Sequence, residues 1–208
     1  FLLSLAERAS RKGGRVSRKY YQTSDGLRLP VYVSGEGQPL VIVHGWTGHF
    51  QDWRGLVDRL AGDFRIYGWE SRAYHSDEAS IARMAQDVAE LMDAFELESP
   101  LLMGHSMGAM VSWDYIRQFG DQRLSQLCII DQSPRPMTAD DWTLGLWGGF
   151  TAKDNAGYIA QLQQGFADAV IDLVSRSRLS GNGEPGIPLE MLEARRQRLE
   201  RMQPEPWI

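Results

Sequence analysis

Four short apolar runs constrain this chain more than any other feature: PLVIVHG (39–45), FRIYGWE (64–70), SPLLMGH (99–105) and LSQLCIID (124–131). Each is too short for a globular helix and reads as a strand. The first is apolar throughout and closes on glycine, the pattern of a strand covered on both faces. Between them, apolar residues recur with helical spacing. Trp53, Leu56, Val57 and Leu60 form one such face, and Ile81, Met84, Ala85, Val88, Leu91, Met92 and Phe95 another. A third helix is expected in MGAMVSWDYIRQFG (107–120). Upstream, KYYQTSDGLRLPVYVSGEG (19–37) reads as two strands around the turn Ser24-Asp25-Gly26. Strand and helix in alternation predict an open, mostly parallel α/β sheet with helices on both faces. The ligand site of such a sheet lies outside the carboxyl ends of its strands. Three predicted strands end there in polar or glycine residues: His44-Gly45-Trp46, Gly104-His105-Ser106 and Asp131-Gln132.

After Pro136 the character changes. Residues 138–178 and 189–202 are expected to be helical, separated by the loop SGNGEPGIP (180–188), with Thr138-Ala139-Asp140-Asp141 resembling an N-terminal capping box. The reading is therefore a basic arm (1–19), an α/β core (20–136) and a helical lid or cap over the strand ends (137–208). The first 20 residues carry six basic side chains against Glu7 alone, and a solvated arm is expected there. A net charge of −5 gives no ground for a nucleic-acid or anionic-membrane partner. No apolar run approaches the roughly 20 residues of a membrane span. The single cysteine, Cys128, excludes an internal disulfide and fits a small buried role; a reducing, cytoplasmic setting is expected. The chain begins at Phe1 rather than Met, and no strand is expected after residue 137, so a piece lacking its natural ends is the expectation.

Within Gly104-His105-Ser106-Met107-Gly108, glycines two before and two after a serine interrupt a strand-to-helix transition. Such glycines are costly inside regular structure. They are explained if the serine sits on a sharp turn, with strand and helix in close approach and the hydroxyl standing free: a nucleophile elbow. Met107 would open the helix, with its N–H and the helix dipole facing a developing oxyanion.

HGWTG (44–48), GHSMGA (104–109) and IIDQSPRP (129–136) together resemble the α/β-hydrolase superfamily, in the branch of serine esterases and non-haem haloperoxidase-like enzymes. The resemblance covers about residues 20 to 208 in element order. It implies Ser106 as nucleophile and the N–H groups of Trp46 and Met107 as the oxyanion hole. ESRAYHSD (70–77) resembles the family's arginine-glycine stretch, with Ala73 where glycine is usual and Arg72 as a structural support. Asp131 is either the acid that orients a histidine, as in some family members, or the end of a strand capping the turn Gln132-Ser133-Pro134. The family places its histidine after the acid, whereas the four histidines here are His44, His49, His75 and His105. A missing C-terminal part would account for this, leaving the 208 residues inactive as they stand.

The implied activity is hydrolysis of a carboxylic ester through an acyl-enzyme on Ser106. Perhydrolase or haloperoxidase-like chemistry, carbon–carbon hydrolysis, lyase activity and a non-catalytic binding domain remain alternatives. Serine at the elbow, where aspartate would be required, argues against dehalogenase and epoxide-hydrolase chemistry. Large apolar residues near the serine and in the lid suggest an apolar acyl or aromatic small molecule as substrate, with His49, Met110, Trp142 and Trp147 lining its pocket. No cofactor is implied, and no histidine or cysteine spacing suggests a metal.

Overall fold

The computed structural model describes residues 15–177 and 187–208, with side chains described as far as Ser175 in the first stretch. The arm residues 1–14 and most of the loop 180–188 lie outside the described residues. Two compact units divide the chain, Phe1–Pro134 and Arg135–Ile208.

The first unit is built on six strands: β1 (Ser17–Gln22), β2 (Arg28–Ser34), β3 (Gln38–Val43), β4 (Phe64–Trp69), β5 (Leu101–His105) and β6 (Gln126–Ile130). Their spatial order is β1-β2-β4-β3-β5-β6. β1 and β2 pair antiparallel, as do β2 and β4; the remaining pairs are parallel. From β3 the chain steps to β4 on one side, then crosses back to β5 on the other. That reversal makes the crevice above β3 and β5 the topological switch point of the sheet.

Helices α1 (Arg54–Leu60), α2 (Ile81–Ala94) and α3 (Met107–Phe119) follow β3, β4 and β5. On one face Leu40, Ile42 and Ile66 form a core with Val57 of α1 and Phe50. On α2 the buried residues include Met84, Ala85, Val88, Leu91 and Met92, five of the seven expected from the helical spacing; Ile81 and Phe95 are half-buried. β3 reads as expected, with its last four residues fully buried.

Arg72 is a fully buried cation that joins three segments. It donates to Asp25 in the β1–β2 turn at 2.5 Å and to the Glu78 carbonyl at 3.1 Å, and it pairs with Asp87 of α2 at 3.0 Å. Its supporting role is thus visible in its contacts.

Three expectations need correction. β1 begins at Ser17, inside the stretch read as a solvated arm, because Ser17–Gln22 pairs residue by residue with β2 and buries Tyr21. Cys128 is only half-buried, on β6, which lies at the edge of the six described strands. The segment 138–150 is not helical. It holds an isolated bridge between Ala139 and Trp142 and a single 3-10 turn, Leu146–Gly148, in which Trp147 is left-handed (φ 52°). Gly145, Gly148 and Gly149 dilute the helical pattern there. The true capping box lies further on. Thr151 accepts from the Asp154 N–H, and the Asp154 carboxylate accepts from the Thr151 N–H, opening α4 (Ala152–Gln164). α5 (Phe166–Ser177), α6 (Leu189–Leu199) and a 3-10 turn (Glu205–Trp207) follow in the second unit.

Candidate active site

Ser106 stands between β5 and α3 with φ 52° and ψ −121°, a conformation that a non-glycine residue holds only under constraint. The sequence supplies the constraint. A Cβ on Gly104 would lie 2.3 Å from the Gly108 carbonyl oxygen, and one on Gly108 would lie 2.1 Å from the Val43 carbonyl oxygen. Only glycine lets α3 settle this close to β5 and β3. The Ser106 N–H donates to the Ile130 carbonyl at 3.0 Å, and its carbonyl accepts from the Ala109 N–H at 2.8 Å. The serine backbone is therefore held by the neighbouring strand on one side and by its own helix on the other. Met107 is the first residue of α3, so its N–H is one of the four that a helix leaves without an internal partner.

Asp131 follows β6, where Ile130 is in register with His105, so it stands at the strand end beside Ser106. It too is left-handed, with φ 51°, and exposed. The third strand end of the row is Gly45–Gly48, a turn closed by the Gly48 N–H on the Gly45 carbonyl at 2.9 Å. There Thr47 has φ 53° although it is β-branched and fully buried. The ends of β3, β5 and β6 thus each carry a non-glycine residue at positive φ. Strain of this kind collects where a function requires it. The structure brings the chosen residues Trp46, Ser106, Met107 and Asp131 to these three adjacent strand ends.

The histidines are largely committed. His44 is buried, takes the Ser71 N–H on Nε2 at 3.1 Å and gives its Nδ1 proton to the Gly45 carbonyl at 2.8 Å. Burial, the largest influence, pushes its pKa down to about 4, and the neutral tautomer is the one both bonds require. His49 caps the 3-10 turn Phe50–Trp53, with Nδ1 accepting from the Gln51 N–H at 3.1 Å. Its Nε2 lies 2.9 Å from Glu70, so this residue, expected in the substrate pocket, has both ring nitrogens engaged. His75 Nε2 lies 2.8 Å from the other Glu70 oxygen. His105 packs edge-on against Trp53.

Met110 is half-buried in the first turn of α3. Trp142 gives its indole N–H to the Arg135 carbonyl at 3.0 Å, within its own segment. Trp147 is 64% exposed, packs edge-on against Phe150, and lines an open groove of about 610 Å³ inside the second unit with Lys153, Tyr158 and Leu173. Among the described residues no cluster of histidine, cysteine and carboxylate groups could hold a metal. No described helix is long and apolar enough to cross a membrane.

Sequence reasoning assigns Glu70 no role, yet the structure places it at the centre of a hydrogen-bond cluster. Burial alone would raise its pKa, but hydrogen bonds from His49, His75 and Tyr32 outweigh that and hold the carboxyl well below its ordinary value. One signal could have found it: β4 is a fourth strand whose apolar run ends in a polar residue at the same end of the sheet.

A mostly parallel sheet with a strained serine turn at its switch point defines a class of hydrolase-type folds. The family model for the alpha/beta hydrolase fold matches residues 38–199, and the chain belongs to that family. The chain is 27% identical over 179 residues to a pimeloyl-(acyl-carrier protein) methyl ester esterase of Vibrio atlanticus, covering 84% of this chain and 66% of that one. It is 28% identical over 122 residues to a soluble epoxide hydrolase of a Corynebacterium species, covering 56% of this chain and 42% of that one. The chain thus spans less than two thirds of either relative. Among solved structures, an esterase from Exiguobacterium antarcticum superposes with a TM-score of 0.78 at 20% identity, over 92% of this chain and 71% of that one. A bromoperoxidase from Bacillus anthracis gives 0.76 at 16% identity, over 91% and 71%. At such identities the solved structures speak for the fold alone.

Proposed function

We propose that the protein is a serine hydrolase that cleaves a carboxylic ester of an apolar acyl or aromatic small molecule. The observation that carries this reading is Ser106, held at φ 52° and ψ −121° between β5 and the N-terminus of α3. Strain at that position has no structural benefit, since glycine would occupy it freely. In the proposed reaction the Ser106 oxygen attacks the ester carbonyl. The N–H groups of Trp46 and Met107 stabilise the oxyanion, the latter with the dipole of α3 behind it. The alcohol leaves with a proton, and water then releases the acid from the acyl-enzyme. In this proposal Asp131, one strand over, orients a histidine that the family pattern places after the acid, and that histidine carries the proton from Ser106 to the leaving alcohol. His44 and His49 have both ring nitrogens engaged elsewhere.

One relative, named as a methyl ester esterase, supports ester cleavage; the other is named as an epoxide hydrolase. The test is turnover of short aryl esters by the protein as its gene encodes it, with Ser106→Ala beside it. The expected result is loss of turnover and of fluorophosphonate labelling in the variant, a fall of at least about 1,000-fold. Undiminished turnover in Ser106→Ala would end the proposal. Peracid formation from acetate and peroxide, faster than ester cleavage, would replace it with the perhydrolase reading.

A further inference from the structure

Glu70 directly follows β4 and is 4% exposed, yet it is a carboxylate. Three donors from three segments converge on it. Tyr32 of β2 gives its hydroxyl proton to Oε2 at 2.9 Å. His49, from the loop after β3, reaches the same oxygen through Nε2 at 2.9 Å. His75, from the loop after β4, reaches Oε1 through Nε2 at 2.8 Å. The direction of the His49 bond is settled by its other nitrogen. Nδ1 accepts from the Gln51 N–H, so Nε2 carries the proton.

The loop thus gripped is the one that carries Trp46. It has two further tethers to the segment after β4. The Ser71 N–H reaches His44, and the Tyr74 hydroxyl lies 2.8 Å from the Gly48 carbonyl and 3.2 Å from that of Thr47. Below it, Phe50 stacks on Tyr32 with rings 5.0 Å apart and 3° from parallel. Thr47 sits inside this frame at φ 53°. A β-branched residue keeps such a conformation only where its surroundings over-determine it. Apolar packing could fill the space of Glu70, but it could not fix three donors in direction.

We infer that Glu70 is a positioning residue for the oxyanion loop: through His49 it holds the Gly45–Gly48 turn, and hence the Trp46 N–H, in the orientation the reaction uses. The inference rests on the serine-hydrolase reading above. It does not make Glu70 a catalytic residue, since Tyr32, His49 and His75, the side chains it holds, are not reacting groups in the proposed mechanism.

The substitution that isolates the effect is Glu70→Gln. A carboxamide keeps the volume but offers one acceptor oxygen to three donors, and its NH2 would confront one of them. In the gene-encoded protein, kcat on a short aryl ester should fall about 10- to 100-fold with KM within about twofold, the pattern of an interaction lost in the transition state. Affinity for a trifluoromethyl ketone, whose serine adduct carries an oxyanion, should fall by the same factor as kcat. His49→Phe, which removes the donor and keeps a ring, should show the same split and decides the matter if Glu70→Gln does not fold. A raised KM with kcat unchanged, or parental values of both, overturns the positioning role. Ser106→Ala run in parallel separates the two claims. If it is inactive while Glu70→Gln behaves as the parent, only the positioning role fails; if it is as active as the parent, the hydrolase reading fails and this role with it.

Discussion

At the scale of the residue, contact distances decide what each position tolerates. Gly108→Ala would drive a methyl group to within 2.1 Å of the Val43 carbonyl oxygen, which is backbone and cannot rotate away. We expect a loss of at least about 2 kcal/mol, read as a drop in melting temperature of several degrees. Arg72 is equally exacting. Removing it as Arg72→Leu would leave Asp87, fully buried in α2, with Arg83 at 3.2 Å as its remaining ion partner. A loss of about 1 to 3 kcal/mol is expected in denaturant titration. Arg72→Lys should recover only part of it, because an ammonium cannot reach Asp25, Asp87 and the Glu78 carbonyl together.

At the scale of the element, the sequence was most informative where a local rule had no competitor. The apolar run of β3 and the helical spacing of α2 define those elements without outside help. The Gly-x-Ser-x-Gly spacing located the elbow because only a close approach of strand and helix explains both glycines. Residues 138–150 misled for the opposite reason. The same threonine-to-aspartate spacing occurs at both 138–141 and 151–154. The first pair is followed closely by Gly145, Gly148 and Gly149, the second by Gly157 alone before Gly165, and only the second opens a helix. Glu70 was illegible as a brace because two of its three partners, Tyr32 and His49, are distant in sequence. Tyr32 is 38 residues before it, and neither histidine has a spacing that suggests a shared carboxylate. The strand-end loops therefore had to be seen folded before their mutual tethers could be read.

At the scale of the whole molecule, the buried imidazole and the buried carboxylate both tie stability to pH. His44 binds its proton less readily folded than unfolded, with its pKa moved from 6.5 to about 4. Between those values the unfolded chain takes up the proton first, so stability falls as pH drops through that window, by up to about 3 kcal/mol. Above pH 6.5 this contribution is complete. Glu70 has the same sign at lower pH. Its folded pKa is depressed, so its contribution is present above the unfolded value of 4.5 and is lost as pH falls below it. The buried Asp87, whose pKa burial raises to about 7, acts with the opposite sign across the same window, so the His44 contribution is read as a difference: from about pH 7 to 4 the parent should lose melting temperature relative to His44→Gln. The same pH dependence in both would show that His44 does not contribute.

Ser106 has a consequence for how such a chain can change over generations. A residue at φ 52° and ψ −121° is held against its own preference, and glycine would relax there without moving a neighbour. Ser106→Gly should therefore melt higher than Ser106→Ala, by about 1 kcal/mol, because alanine keeps the strain and glycine releases it. Selection for stability alone would erode this position toward glycine. A serine that persists there is kept against thermodynamic drift, and the difference in melting between the two variants measures how strong that opposing pressure must be.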